Sequence, residues 1–382
     1  MTSGGAPDVI VVGGGVIGLS IAWRLAGSGA RVEVFDPEGS SGASWAAAGM
    51  LAPVTEAHFG EERLLRLNLD SAARYPEFVE ELENLTGCYV GYRRCGTLTV
   101  AATSDDHAVL DDLFRFQVSL GVEVQRLRGG EARELEPRLS PRIRSGILAP
   151  GDHQVDNRAL LVALEDACRR SGVTTRRERV ASLVVDSGCI AGVRFEADEE
   201  RAQSVVIAAG ARSGELCATA GAARVPIRPV KGQLVHLDGV DDDHVARNIR
   251  GLRVYIVGRG DGRVVVGATV EEQGFDTRVT AGGLYDLLRD ATELLPGITE
   301  AEVVETIAGL RPATPDNAPV IGATDVEGLF IASGHYRNGI LLAPVTADAI
   351  AALVTGGAAG PGVEAFSPQR FASQATPRWV AR

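Results

Sequence analysis

Two stretches of the chain concentrate residues whose types can do chemistry. "GHYRNGILLAP", residues 334–344, crowds His335, Tyr336, Arg337 and Asn338 between two glycines, after the apolar run "LFIAS" and before a helix-like stretch. An arginine on such a connection suits a carboxylate, because its planar fork meets two oxygens at once, as the point charge of a lysine does not. The plainer alternative is an arginine that caps nearby carbonyls or pairs with a surface acid. At the other end of the chain, Gly13-x-Gly15-x-x-Gly18 stands inside "DVIVVGGGVIGLSIAWRLAGSGARVEVFDPEG". Its glycines suit a tight turn, a close approach of backbone to pyrophosphate, and close packing of a helix on a strand.

The elements around that motif are in register with it. Val9 to Val12 is a β-branched run that predicts a buried strand, and Val16 to Ala26 carries Ile17, Ile21 and Leu25 at helical spacing. Arg31 to Phe35 predicts a second strand, closed by Asp36. The helix N-terminus offers N–H groups and partial positive charge to phosphates, and a carboxylate at Asp36 is placed for ribose hydroxyls. Dinucleotide binding follows, although Asp36-Pro37 also reads as a plain turn. The motif alone does not choose between FAD and NAD.

Composition removes several classes of function. A net charge of −12 argues against nucleic acid and anionic membrane surfaces. Cys88, Cys95, Cys168, Cys189 and Cys217 form no CxxC pair, the six histidines are dispersed, and no HExxH occurs, so no metal is expected. An odd, scattered cysteine set reads as reduced thiols in the cytoplasm. The uncharged run 9–23 follows Asp8, is broken by three glycines and is shorter than the ~20 residues of a membrane helix, so a soluble chain is expected.

Along the rest of the chain, 40–53 ("SSGASWAAAGMLAP") is small and apolar, able to lie flat against a cofactor or to serve as a mobile connection. Helices are predicted over 61–86 (Leu64, Leu67, Tyr75, Phe78, Leu82 and Leu85 inward), 105–120, 157–171 and 281–295. Strands are predicted over 96–102, 181–185, 190–195 and 204–208, and 230–270 is β-rich with a Gly-Asp-Gly hairpin at 260–262. Asp241–Asp243 reads as a solvated loop and 367–382 as a polar, loosely ordered tail. The expected fold is α/β: a Rossmann-like nucleotide domain from 1–86, 151–226 and 312–366, and an inserted, mainly antiparallel β substrate domain from 87–150 and 227–311.

Taken together, "VIVVGGGVIGLSIAWRLA", "GASWAAAGMLAP", "VYIVGRGDGRVVVGATVEEQGFDTRVTAGG", "AGLRPATPDNAPVIG" and "GHYRNGILLAP" resemble the glycine oxidases, flavin-dependent members of the D-amino-acid oxidase superfamily linked to thiamine thiazole synthesis. The resemblance covers essentially the whole chain. It implies FAD held noncovalently between the two domains. Covalent attachment in related sarcosine oxidases uses a late cysteine, and the last one here is Cys217. It implies that Arg337 pairs with the substrate carboxylate, that Tyr255 meets the same carboxylate, and that Arg311 and Met50 line the pocket. It further implies that FAD lies along Gly13, Gly15, Val16, Ile17, Gly18 and Asp36, then Ser44, Ala47, Ala48, Gly49 and Met50. Val180, Ala209, Gly210, Gly309 and Arg311 would follow, with Gly334, His335, Arg337, Asn338, Gly339, Ile340 and Leu341 passing the flavin ring. Asp36 departs from the glutamate more usual at that place. Each residue keeps a plainer reading: a structural ion pair for Arg311, a core ring for Tyr255, a space-filler for Met50.

The implied reaction oxidises glycine, with sarcosine and small D-amino acids such as D-alanine as further substrates. Hydride leaves Cα for flavin N5 and oxygen reoxidises the cofactor. Such a step needs a neutral amine and positioning more than a general base, so no catalytic residue is singled out, and His335 fits a backbone hydrogen bond better than catalysis. A helix starting near Gly339 would turn its positive end to the reduced flavin. A homotetramer is the implied assembly. The alternatives are an amine dehydrogenase or N-demethylating oxidase on another small amine, and a noncatalytic flavin-binding module.

Overall fold

The computed structural model describes residues 6–39, 41–222, 225–240 and 245–372. The expected solvated loop at Asp241–Asp243 lies outside them, as does the tail beyond residue 372. The chain opens with β1 (Val9–Val12), α1 (Val16–Gly27) and β2 (Val32–Phe35). β1 is buried along its length and pairs in parallel with β2 on one side and with strand Ser204–Ile207 on the other. A central parallel strand is covered on both faces, which is why it reads as an unbroken β-branched run rather than an alternating one. Leu329–Ser333 continues the parallel sheet beside Ser204–Ile207, and Thr174–Arg176 extends it beyond β2. Val320–Ala323 closes it antiparallel. This six-stranded sheet carries the nucleotide-type motif at the C-terminal end of β1.

A second, eight-stranded sheet runs in the order Glu302–Ala313, Arg228–Asp238, Val264–Gly267, Tyr255–Gly258, Asn248–Arg250, Thr97–Ala101, Ser145–Ala149 and Gln125–Arg128. It is antiparallel except where Asn248–Arg250 lies parallel to Thr97–Ala101. The α/β fold with a mainly antiparallel second sheet is therefore as expected. Gly260–Gly262 turns the chain between Tyr255–Gly258 and Val264–Gly267, as the hairpin signal predicts. The edge strand Glu302–Ala313 was not foreseen. Its residues up to Pro312 are exposed or half-buried and lack clean alternation, and it is held by its long pairing with Arg228–Asp238.

Helix Glu62–Thr86 buries Leu64, Leu67, Tyr75, Phe78 and Leu82 against α1 and the C-terminal helix, whereas Leu85 in its last turn is 38% exposed. Its inward face also steadies residues 340–341: the Tyr75 hydroxyl donates to the Ile340 carbonyl at 3.1 Å, and Ser71 Oγ to the Leu341 carbonyl at 2.6 Å. Two expectations need correction. The C-terminal helix begins at Ala343, not near Gly339, because 335–342 fold as successive turns closed by Asn338 N–H to the His335 carbonyl and Leu342 N–H to the Asn338 carbonyl. Pro344 then takes a first-turn position, where its missing N–H is harmless. The described part of the tail is packed: Pro368–Phe371 forms a 3₁₀ turn with Phe371 buried, and Arg370 pairs with Asp316 at 2.9 Å.

Candidate active site

One cleft of about 750 Å³ runs from the glycine turn after β1 to the strands of the eight-stranded sheet. Of the residues singled out in the sequence it gathers Gly13, Gly15, Val16, Ile17, Asp36, Ser44, Ala47, Ala48, Gly49, Met50, Val180, Ala209 and Gly210. It also gathers Tyr255, Gly309, Arg311, His335, Arg337, Asn338, Gly339 and Ile340. Gly18, Gly334 and Leu341 do not line it. A Cβ on Gly18 would sit 1.9 Å from the Gly13 carbonyl oxygen, so Gly18 lets α1 pack on the turn. Gly334 has a φ of 73° and backs onto Thr314, while Leu341 points into the core.

The nucleotide end is a cradle that side chains would fill. Gly13 has a φ of 114°, and a Cβ there would come 2.4 Å from the Ala208 carbonyl oxygen. α1 has no side chain capping its amide end and no acid in its first turn; Val16 N–H reaches Ser44 Oγ at 3.1 Å. Those amides and the dipole suit phosphate oxygens. Asp36 serves both of its readings. It accepts from Gly14 N–H at 2.5 Å and from Glu38 and Gly39 N–H at 2.9 and 3.0 Å, and it lines the cleft. The small wall Ala46–Gly49 is tied down by Arg259, which donates to the Ala48 and Val155 carbonyls at 3.0 and 2.9 Å. This shape and donor set fit a dinucleotide whose flat ring lies beyond the glycine turn.

The far end of the cleft carries the polar groups of Glu56, Tyr255, Arg311 and Arg337. Strand Glu302–Ala313 carries Arg311 opposite Val230, and Arg311 donates to the Thr269 carbonyl at 3.1 Å. Its guanidinium lies flat against Gly232, where a Cβ would stand 2.3 Å from both terminal nitrogens. The Tyr255 hydroxyl sits against the same guanidinium; burial raises its pKa, and Arg311 pulls against that rise. Among the described residues no carboxylate forms an ion pair with Arg311.

Arg337 lines the cleft as expected and meets an acid of the protein there. Its Nε lies 2.7 Å from Glu56 Oε2, and the buried Glu56 also pairs with the half-buried Arg250 of strand Asn248–Arg250. Burial pushes the Glu56 carboxyl up, but Arg250 and Arg337 outweigh it and hold the pKa at about 2. Arg337 is thus engaged by the protein's own acid. Glu56 went unnoticed in the sequence because the small apolar segment was read as ending at residue 53. A lone acid in "MLAPVTEAHF" was the available signal. His335 is buried with Nε2 3.0 Å from Thr346 Oγ1, and burial lowers its pKa to about 3, so it stays neutral and cannot serve as a base near neutrality. Among the described residues no three His, Cys, Asp or Glu side chains are grouped to hold a metal ion, and none of the cysteines lines the cleft.

Comparison with known proteins agrees with this geometry. Residues 8–353 match the model of the FAD dependent oxidoreductase family. The chain is 34% identical to the bifunctional protein ThiO/ThiG of Trichormus variabilis over 97% of its own length, but spans only 56% of that relative. It is 38% identical to a glycine oxidase of Geobacillus kaustophilus, covering 91% of this chain and 92% of the relative. The crystal structure of glycine oxidase from Geobacillus kaustophilus superposes with a TM-score of 0.90 at 36% identity, covering 95% of this chain and 98% of that one. No described helix is long and apolar enough to cross a membrane. The chain belongs to the FAD dependent oxidoreductase family, and FAD is the dinucleotide for which its cleft is built.

Proposed function

We propose that the protein oxidises glycine: glycine, oxygen and water give glyoxylate, ammonia and hydrogen peroxide, with sarcosine and small D-amino acids such as D-alanine as further substrates. The likeness to ThiO/ThiG and to glycine oxidase supports this reading and a role in making the thiamine thiazole. The observation that carries it is Arg311, held flat on Gly232 beside the Tyr255 hydroxyl and without a protein carboxylate among the described residues. An arginine so placed awaits a ligand's carboxylate, and a bidentate pair fixes both distance and orientation.

The work is divided among residues as follows. Arg311 and Tyr255 bind the carboxylate, a reassignment of the role expected of Arg337. Arg337 and Arg250 keep Glu56 ionised, and Glu56 gives the amine end of the substrate an anionic neighbour. Met50 and Leu234 supply apolar wall that limits water and bulk. Bound FAD supplies the two-electron acceptor for the Cα–H bond and passes the electrons to oxygen. Accordingly we assign 1–86, 151–226 and 312–366 to FAD and 87–150 and 227–311 to the substrate. We place the protein in the cytoplasm as a homotetramer, which sizing of the purified protein checks.

Anaerobic mixing of the yellow holoenzyme with glycine tests the reaction. Loss of flavin absorbance, then recovery with peroxide on admitting air, is expected. A flavin unchanged by glycine, sarcosine and D-alanine alike would overturn the substrate reading, and bleaching without recovery would overturn oxygen as acceptor.

A further inference from the structure

Behind the cleft wall lies a carboxylate that neither the motif nor the reaction uses. Asp152 is wholly inaccessible and occupies the turn between strands Ser145–Ala149 and His153–Gln154. The short ladder pairing Met50 with Gln154 and Leu51 with His153 brings the turn 52–57 over it. Its Oδ1 accepts from Val54 N–H at 2.9 Å, and its Oδ2 accepts from Thr55 N–H at 2.8 Å and Thr55 Oγ1 at 2.7 Å. Gln117 Nε2 holds the Val54 carbonyl at 3.2 Å from the other side. The next residue is Glu56.

We infer that Asp152 is a positioning residue for the amine end of the site: it clamps Val54 and Thr55 so that the Glu56 carboxylate stands between Arg250 and Arg337. The inference rests on the reading of Glu56 as the substrate amine's neighbour. Two features of the geometry carry it. A buried carboxylate is costly unless its oxygens are satisfied, and here the Val54 N–H, the Thr55 N–H and the Thr55 hydroxyl all belong to the two residues that lead directly into Glu56. Asp152 also adds a negative charge to the cluster, since Arg250 feels both Glu56 and Asp152 while Arg337 pairs with Glu56. Burial raises the Asp152 pKa to about 6, with the Glu56 charge adding to the rise, so the two acids feel one another. Asp152→Asn keeps one acceptor oxygen but turns an amide donor toward the Val54 or Thr55 donors, and it removes the charge that Arg250 feels.

The test is a double-mutant cycle on the FAD-loaded enzyme with Asp152→Asn, Thr55→Val and Glu56→Gln, reading KM for glycine, the limiting rate of flavin reduction and thermal unfolding. Asp152→Asn should raise KM by roughly 10- to 100-fold, the scale on which an angstrom of misplacement acts, with FAD content unchanged. Thr55→Val, which deletes one of three donors, should shift KM in the same direction by less. In the Glu56→Gln background neither change should add more than about twofold, because residues acting through one another are not additive. Additive effects in that background, or an unchanged KM in both single variants, would overturn the inference. If Asp152→Asn yields no holoenzyme, Thr55→Val decides by the same criterion. If glycine fails to reduce the wild-type flavin, the substrate reading falls separately, and the unfolding cycle decides: coupling between positions 55 and 56 supports the clamp, and additivity refutes it.

Discussion

Gly232→Ala is the sharpest probe of which arginine holds the substrate. Gly232 sits in strand Arg228–Asp238 opposite Gly309, and its backbone is outside the left-handed region, so alanine suits the strand itself. The three atoms nearest to a new Cβ all belong to the guanidinium of Arg311. A Cβ would lie 2.3 Å from each terminal nitrogen and 2.4 Å from Cζ, whereas ordinary contact begins at 3.4 Å. The guanidinium must therefore retreat by about 1 Å, or tilt by an equivalent amount. A misplacement of that size at a positioning group costs on the order of 100-fold, about 2.7 kcal/mol of transition-state stabilisation. Crowding of this kind lowers stability by about 1–3 kcal/mol, a few degrees in Tm, which leaves a folded holoenzyme to assay. Peroxide release from glycine under air, measured over a range of substrate, should show kcat/KM down by about 100-fold, most of it in KM. A kcat/KM within threefold of wild type would refute Arg311 as the carboxylate partner and return the role to Arg337.

Three further outcomes follow from the geometry. Gly13→Ala meets both a φ of 114° and a carbonyl oxygen 2.4 Å from the new Cβ, so the purified protein should be colourless, and an FAD content near that of wild type would contradict the cradle. His335 takes up a proton near pH 6.5 when unfolded but only near 3 when folded, so its contribution to stability is intact above 6.5 and lost as pH falls towards 3. The slope is about 1.4 kcal/mol per pH unit for one proton; Asp152, raised to about 6, works in the opposite sense, so the wild-type minus His335→Gln difference in denaturant unfolding isolates the histidine, and parallel curves would exclude it. With Glu56 held near 2 and His335 near 3, neither of these two titrates at neutral pH, so kcat/KM should rise with the substrate amine's own ionisation and move when that amine's pKa is changed. A rise that stays fixed across amines would reveal a protein base.

What could be read from the chain without coordinates was what is local. β1, the glycine turn, α1 and β2 lie within a few dozen residues, and each glycine's purpose follows from its spacing and neighbours. The same holds for the hairpin at Gly260–Gly262, which needs only a turn residue between two apolar strands. The strand Glu302–Ala313 was hidden because an edge strand takes its stability from a partner far away in sequence, not from its own pattern. Arg311 and Arg337 both stood out, yet their roles could not be separated in the sequence, since what separates them is distant. Glu56 comes from the segment after Met50, Arg250 from the second sheet, and Gly232 from the strand beside Arg311.

That separation bears on how the site handles charge. A glycine zwitterion brings one negative and one positive group, and a cleft that binds both must supply the opposite signs without letting its own groups exchange protons with the substrate. Arg311 offers the planar fork of a guanidinium to the carboxylate. Glu56 is kept ionised by two arginines, and its low pKa makes it a poor base even though it lies at the right place to attract an ammonium group. His335, which lines the same cleft, is kept neutral by burial, with Nε2 3.0 Å from Thr346 Oγ1. The protein groups thus hold their charge states across the physiological range, and the proton that must leave the amine before its Cα–H bond is oxidised has no acceptor among these three. On the function we propose, it leaves to solvent, so the neutral amine is the reactive species and the rate follows the substrate's acidity rather than the enzyme's.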